Sequence, residues 1–95
     1  MRFKLLGTGL ALLSVGFLSG CSEEHGSTQC TQAPESEWLN VNDFQAKLLN
    51  EGYKINEFKV TGGNCYEIYG FEADGTKVEI YFNPTDGSIV KREQE

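Results

Sequence analysis

The sequence predicts an α+β fold in which one N-terminal helix packs on a four-stranded antiparallel meander sheet, and three features carry this. A single apolar stripe with helical spacing lies between Glu37 and Gly52. Four β-rich segments follow, separated by glycine-containing turns. No two of those segments enclose enough chain for a crossover helix, so the strands must pair antiparallel.

The helix comes first. Val41, Phe44, Leu48 and Leu49 form one stripe at i, i+3, i+7 spacing. Asn40 with Asp43, or Asn42 with Gln45, supplies the N-terminal cap. Gly52 suits the residue that ends a helix, and Tyr53 after it can fold back onto Leu48. Trp38 precedes the helix and is expected over one end of the core.

Tyr53 to Val60 reads as the first strand. Its apolar positions change parity between Ile55 and Phe58, which predicts a bulge near Asn56 and Glu57. Cys65 to Glu72, Lys77 to Asn83 and Ser88 to Arg92 are strands two to four. The Ala73-Asp74-Gly75 loop sets the register of the central hairpin. A two-residue loop would separate Tyr66 and Ile68 from Val78, Ile80 and Phe82. A three-residue loop closed by a Gly75 bulge gathers all five on one face, and a one-residue slip would invert every side chain. The three-residue register is therefore expected. Gly70 then faces Val78, leaving room for the helix, with Phe44 or Leu48 as filler. Asn83-Pro84-Thr85-Asp86-Gly87 turns the chain again. The charged end Lys91, Arg92, Glu93 and Glu95 discourages edge pairing.

The opposite face then carries Glu67, Tyr69, Phe71, Lys77, Glu79 and Tyr81. Two explanations stand for its three aromatics. They form cross-strand pairs with Lys and Glu stems, partly covered by the segment that holds Cys30. Alternatively, Tyr69, Phe71, Lys77, Glu79 and Tyr81 form a docking surface for another protein. Glu67 and Glu79 can lie close together, and are expected on a solvated face because so small a domain has little depth for a catalytic cleft.

The 95-residue chain has enough length for one small domain, and the sequence before it reads as a sorting signal. Arg2 and Lys4 precede an apolar run from Leu5 to Leu18, too short for a bilayer span of roughly 20 residues. Leu18-Ser19-Gly20-Cys21 resembles the lipobox of bacterial lipoproteins. That resemblance implies a signal peptide over residues 1–20 and acyl chains, palmitate among them, on Cys21. Residues 21–36 then form a flexible tether and 37–95 the domain. The sole histidine, His25, falls on the tether and is expected to be solvated. Ser22 lacks the Asp associated with inner-membrane retention in enteric bacteria, so the periplasmic face of the outer membrane is favoured.

After residue 20 there are 14 acidic residues against 6 Lys and Arg, a net charge of −8. No basic footprint for nucleic acid is present, and adhesion to anionic head groups is disfavoured. Membrane attachment must come from the acyl chains, at about 0.8 kcal/mol per buried CH₂. Cys30 and Cys65 are the two remaining cysteines, and an exported chain sits where disulfides persist, so they are expected to pair.

Leu48 with Gly52-Tyr53, then Cys65-Tyr66-Glu67, Asp74-Gly75, Val78-Glu79-Ile80-Tyr81-Phe82-Asn83-Pro84 and Gly87 resemble the PepSY domain family over Val41 to Val90. The resemblance implies a helix on an antiparallel sheet. It also implies a link to peptidases, since PepSY domains occur in propeptides of thermolysin-like metallopeptidases. No peptidase segment follows the fourth strand here, so any such action is expected in trans. The family offers no catalytic residues to carry over, and the sequence has no His-Glu-x-x-His, Cys-x-x-Cys or P-loop. Asp74-Gly75 and Asp86-Gly87 lack the further oxygens of a calcium loop. A non-enzyme without a cofactor is expected: a lipid-anchored module that binds an envelope protein, with a peptidase as candidate. The alternative is a structural or stress-related envelope lipoprotein without a dedicated client.

Overall fold

A computed structural model describes residues 28–95; the expected signal segment, Cys21 and His25 lie outside them. A 3₁₀ turn at Glu35–Glu37 leads into α1, Val41–Asn50. The strands are β1 (Lys54–Val60), β2 (Tyr66–Phe71), β3 (Lys77–Phe82) and β4 (Ile89–Gln94), ordered β1-β2-β3-β4 and all antiparallel.

The helix starts at Val41, the first residue of the apolar stripe, and the first of the two expected caps forms: the Asn40 side chain accepts from the Asp43 amide at 3.0 Å. Its end has the expected form. The Gly52 amide donates to the Leu49 carbonyl and the Tyr53 amide to the Leu48 carbonyl, the paired bonds of a Schellman ending. Val41, Phe44 and Leu48 turn to the sheet, and Phe44 and Leu48 are buried. Leu49 does not follow them and is 56% exposed. It stands about 100° around the helix from Leu48, beyond the reach of a stripe centred on residues 44 and 48.

The central hairpin has the three-residue register. Tyr66 pairs with Phe82, Ile68 with Ile80 and Gly70 with Val78. Gly75 makes this possible: its φ of +91° closes the turn, and its amide donates to the Glu72 carbonyl. Tyr66, Ile68, Val78, Ile80 and Phe82 therefore share the helix side and are all buried. Phe44 wedges between two of them, 5.4 Å from the Tyr66 ring centre and 5.1 Å from that of Phe82.

Gly70 has a different reason from the one expected. The atoms nearest to it belong to the β1 backbone and not to Phe44 or Leu48. A Cβ there would lie 1.9 Å from the Lys54 carbonyl oxygen and 3.2 Å from the Ile55 Cα. The register between β1 and β2 shifts between Ile55 and Glu57, at the bulge the parity change predicts. That bulge brings the β1 backbone over residue 70, so β1, and not the helix, requires the glycine.

Cys30 and Cys65 form a disulfide with their Cα atoms 5.1 Å apart. The segment before the helix is fixed to the sheet around it. The Cys30 amide donates to the Gly63 carbonyl, and the Asn64 side chain donates to the Thr31 carbonyl. Trp38 meets Tyr66 edge-on at 5.8 Å and its Nε1 donates to the Ala33 carbonyl, so it does cover one end of the core.

Candidate functional site on the outer sheet face

Period-two alternation sends Glu67, Tyr69 and Phe71 of β2, and Cys65 just before it, away from the helix. Register then sets their neighbours. One row across the sheet reads Lys59, Glu67, Tyr81, Lys91, and the next reads Glu57, Tyr69, Glu79, Glu93. Phe71 follows, paired with Lys77 on one side and Lys54 on the other. The five residues singled out as a docking surface, Tyr69, Phe71, Lys77, Glu79 and Tyr81, thus lie on adjacent positions of β2 and β3.

The rings do not stand bare. Lys59 Nζ lies 5.3 Å from the Tyr69 ring centre, Lys91 Nζ 5.8 Å from that of Tyr81, and Lys54 Nζ 5.7 Å from that of Phe71. Each ammonium faces the negative side of an aromatic quadrupole. Tyr69, Phe71, Glu79 and Tyr81 are half-buried, and of the five only Lys77 is exposed.

Glu67 departs from the solvated face expected for it: it is 4% exposed. The disulfide at Cys65 sits next to it on the same face of β2, and Lys59 and Tyr81 flank it across the strands. Its Oε2 is buried and has no hydrogen-bond partner among the described residues. Burial, and then hydrogen bonding to Glu79, push its carboxyl up to about 7. Glu79 moves the other way, held low by its hydrogen bonds with Glu67 and the two phenols. Two carboxyls in such contact favour a state with one proton between them, carried by the buried member below about pH 7. Tyr81 Oη donates to Glu79 Oε2 at 3.0 Å. The Tyr69 phenol is pushed up by its hydrogen bond to Glu79 and by burial, and that of Tyr81 by burial and then by Glu79.

The sequence placed Glu67 and Glu79 together but missed the burial. Alternation and register were legible signals. The packing of Lys59, Tyr81 and the disulfide around Glu67 was not, because it joins three separate chain segments. Among the described residues no group of three His, Cys, Asp or Glu could hold a metal ion.

The family model for the peptidase propeptide and YPEB domain matches residues 10–93. The chain belongs to the PepSY family. This PepSY domain therefore shares its fold with modules named for peptidase propeptides, which points to protein binding or modulation. No curated protein and no solved structure matches the chain.

Proposed function

We propose that this PepSY domain is a non-catalytic protein-binding module of the bacterial envelope that acts in trans, with a peptidase as its first candidate partner. Acyl chains on Cys21 anchor it at the periplasmic face of the outer membrane. The observation that carries the binding reading is the family match over residues 10–93. The basic start, short apolar run and Leu18-Ser19-Gly20-Cys21 support the anchor. Tyr69, Phe71, Lys77, Glu79 and Tyr81 supply the contact surface, with rings that a partner reaches by displacing lysine side chains.

Capture from envelope extract tests this reading, comparing wild type with Tyr69→Ala/Tyr81→Ala. A stoichiometric partner lost in the double variant is the expected result. An unchanged partner set rules out this surface, and the absence of any specific partner rules out the binding reading. Labelling with a palmitate analogue should mark wild type and leave Cys21→Ser unmarked.

One observation favours the second reading, a structural envelope lipoprotein without a client. Lys54, Lys59 and Lys91 already cover the three outer rings from within the domain.

A further inference from the structure

On the helix side, where β1 ends and β2 begins, a groove of about 290 Å³ opens to solvent. Trp38, Leu39, Val41, Val60 and Tyr66 line it, together with Glu35. Its polar wall atoms are already committed. Trp38 Nε1 donates to the Ala33 carbonyl and Tyr66 Oη donates to the Leu39 carbonyl at 2.6 Å. What remains for a ligand is apolar surface, including Leu39 at 37% and Val60 at 50% exposure, with the Glu35 carboxylate and the Asn40 amide at its margin. The volume falls just under the range of about 300–1,000 Å³ for drug-sized ligands and suits one bulky side chain.

Two further features say what carries that side chain. First, Val60 ends an edge strand, because β1 is paired only with β2 among the described residues. The bulge before Glu57 leaves Glu57–Val60 as its regular stretch. An unpaired strand edge beside an apolar groove accepts an extended peptide, whose main chain pairs with the edge and whose side chains enter the groove. Second, the groove has no Lys or Arg in its wall. Glu35 in the wall and Glu37 two residues on are both exposed, and neither forms an ion pair among the described residues. The charge favours a cation next to the inserted side chain.

We propose that the Trp38 groove and the Glu57–Val60 edge dock an extended segment of a partner protein, with a bulky apolar side chain beside Trp38 and a neighbouring Lys or Arg against Glu35. The proposal rests on the protein-binding reading above but uses the opposite face of the sheet from Tyr69 and Tyr81.

Trp38 is the only tryptophan, so its emission reports directly on the groove. The full chain in neutral detergent would be titrated with three capped pentapeptides: Lys-Val-Phe-Val-Lys, Lys-Val-Ala-Val-Lys and Glu-Val-Phe-Val-Glu. The first should shift the emission saturably. The alanine peptide should bind at least about tenfold more weakly, the factor expected for losing one large buried side chain. The acidic peptide should also bind more weakly, and Glu35→Gln should narrow the gap between the two charge types. Val60→Asp, at an exposed position, should abolish the response while lowering the urea midpoint by no more than about 1 M, so that the domain stays folded. Backbone amide shifts on binding should concentrate at Glu57–Val60.

No emission change at millimolar peptide, or equal responses to all three peptides, overturns the proposal. So do shifts confined to Tyr69 and Tyr81. A partner captured equally by wild type and Val60→Asp also overturns the groove while leaving the protein-binding reading standing. Capture by neither would remove that reading as well.

Discussion

Replacing Glu67 with Gln should remove most of the pH dependence of folding stability between about pH 5 and 8. In the folded domain this carboxyl is raised from 4.5 to about 7, first by burial and then by Glu79. Because the folded value lies above the unfolded one, the unfolded chain releases the proton first as pH rises. Stability from this group is fully present below about pH 4.5 and is lost as pH climbs through about 7. At 1.36 kcal/mol per unit, the total loss is at most roughly 3 kcal/mol, reduced by solvent screening and by the opposite shift of Glu79. Other shifted groups act elsewhere. Glu72, Asp74, Glu79 and Asp86 are lowered, so their contributions vanish only as pH falls below the ordinary carboxylate range. The tyrosines are raised from 10.0 and act only in strong alkali.

The assay is urea unfolding at pH 5, 6, 7 and 8 with the disulfide intact, followed through Trp38. His25→Gln serves as background because a histidine titrates in the same window. With a urea slope of about 1 kcal/mol/M for so small a domain, the midpoint should fall by at most about 2–3 M between pH 5 and 8. Glu67→Gln should unfold near the wild-type midpoint at pH 5 and well above it at pH 8. A flat wild-type profile, or the same slope in the variant, would show that the carboxyl is not held protonated at the sheet face.

Three further outcomes follow from the packing. Replacing Cys30 and Cys65 together with Ala should cost about 3–4 kcal/mol, the chain-entropy value for the loop of about 36 residues they close, read as a lower urea midpoint. Gly70→Ala should displace β1, because the added carbon would meet the Lys54 carbonyl at 1.9 Å; amide exchange should show β1 protection lost before that of β2 and β3. Asn40→Ala should cost about 1 kcal/mol by stripping the helix cap, visible as a lower melting temperature with an unchanged far-ultraviolet spectrum at 20 °C.

Local chemistry is what made the fold readable. The Asp74-Gly75 turn together with alternation at Tyr66, Ile68, Val78, Ile80 and Phe82 admits one register that buries a continuous apolar face. The observed pairing of Ile68 with Ile80 is that register. The parity change at Asn56 marked the bulge, and Gly52-Tyr53 marked the helix end. Asn40 and Asn42 were both acceptable caps, and only the path of the preceding chain separates them: the Leu39 amide is tied to the Pro84 carbonyl at 2.7 Å, which sets where the helix can begin.

By itself the sequence determined the helix, the four strands and the register of the central hairpin, because each rests on periodicity or turn geometry within a few residues; the expected Cys30–Cys65 pairing rested on cysteine count and export instead. Tertiary structure decided what the two faces offer. It buried Glu67 against Glu79, laid lysines over the outer rings, set the β1 backbone against Gly70 and opened the groove beside Trp38. Those features arise where segments distant in sequence converge, and desolvation and steric contact depend on everything surrounding a side chain, which no local pattern records.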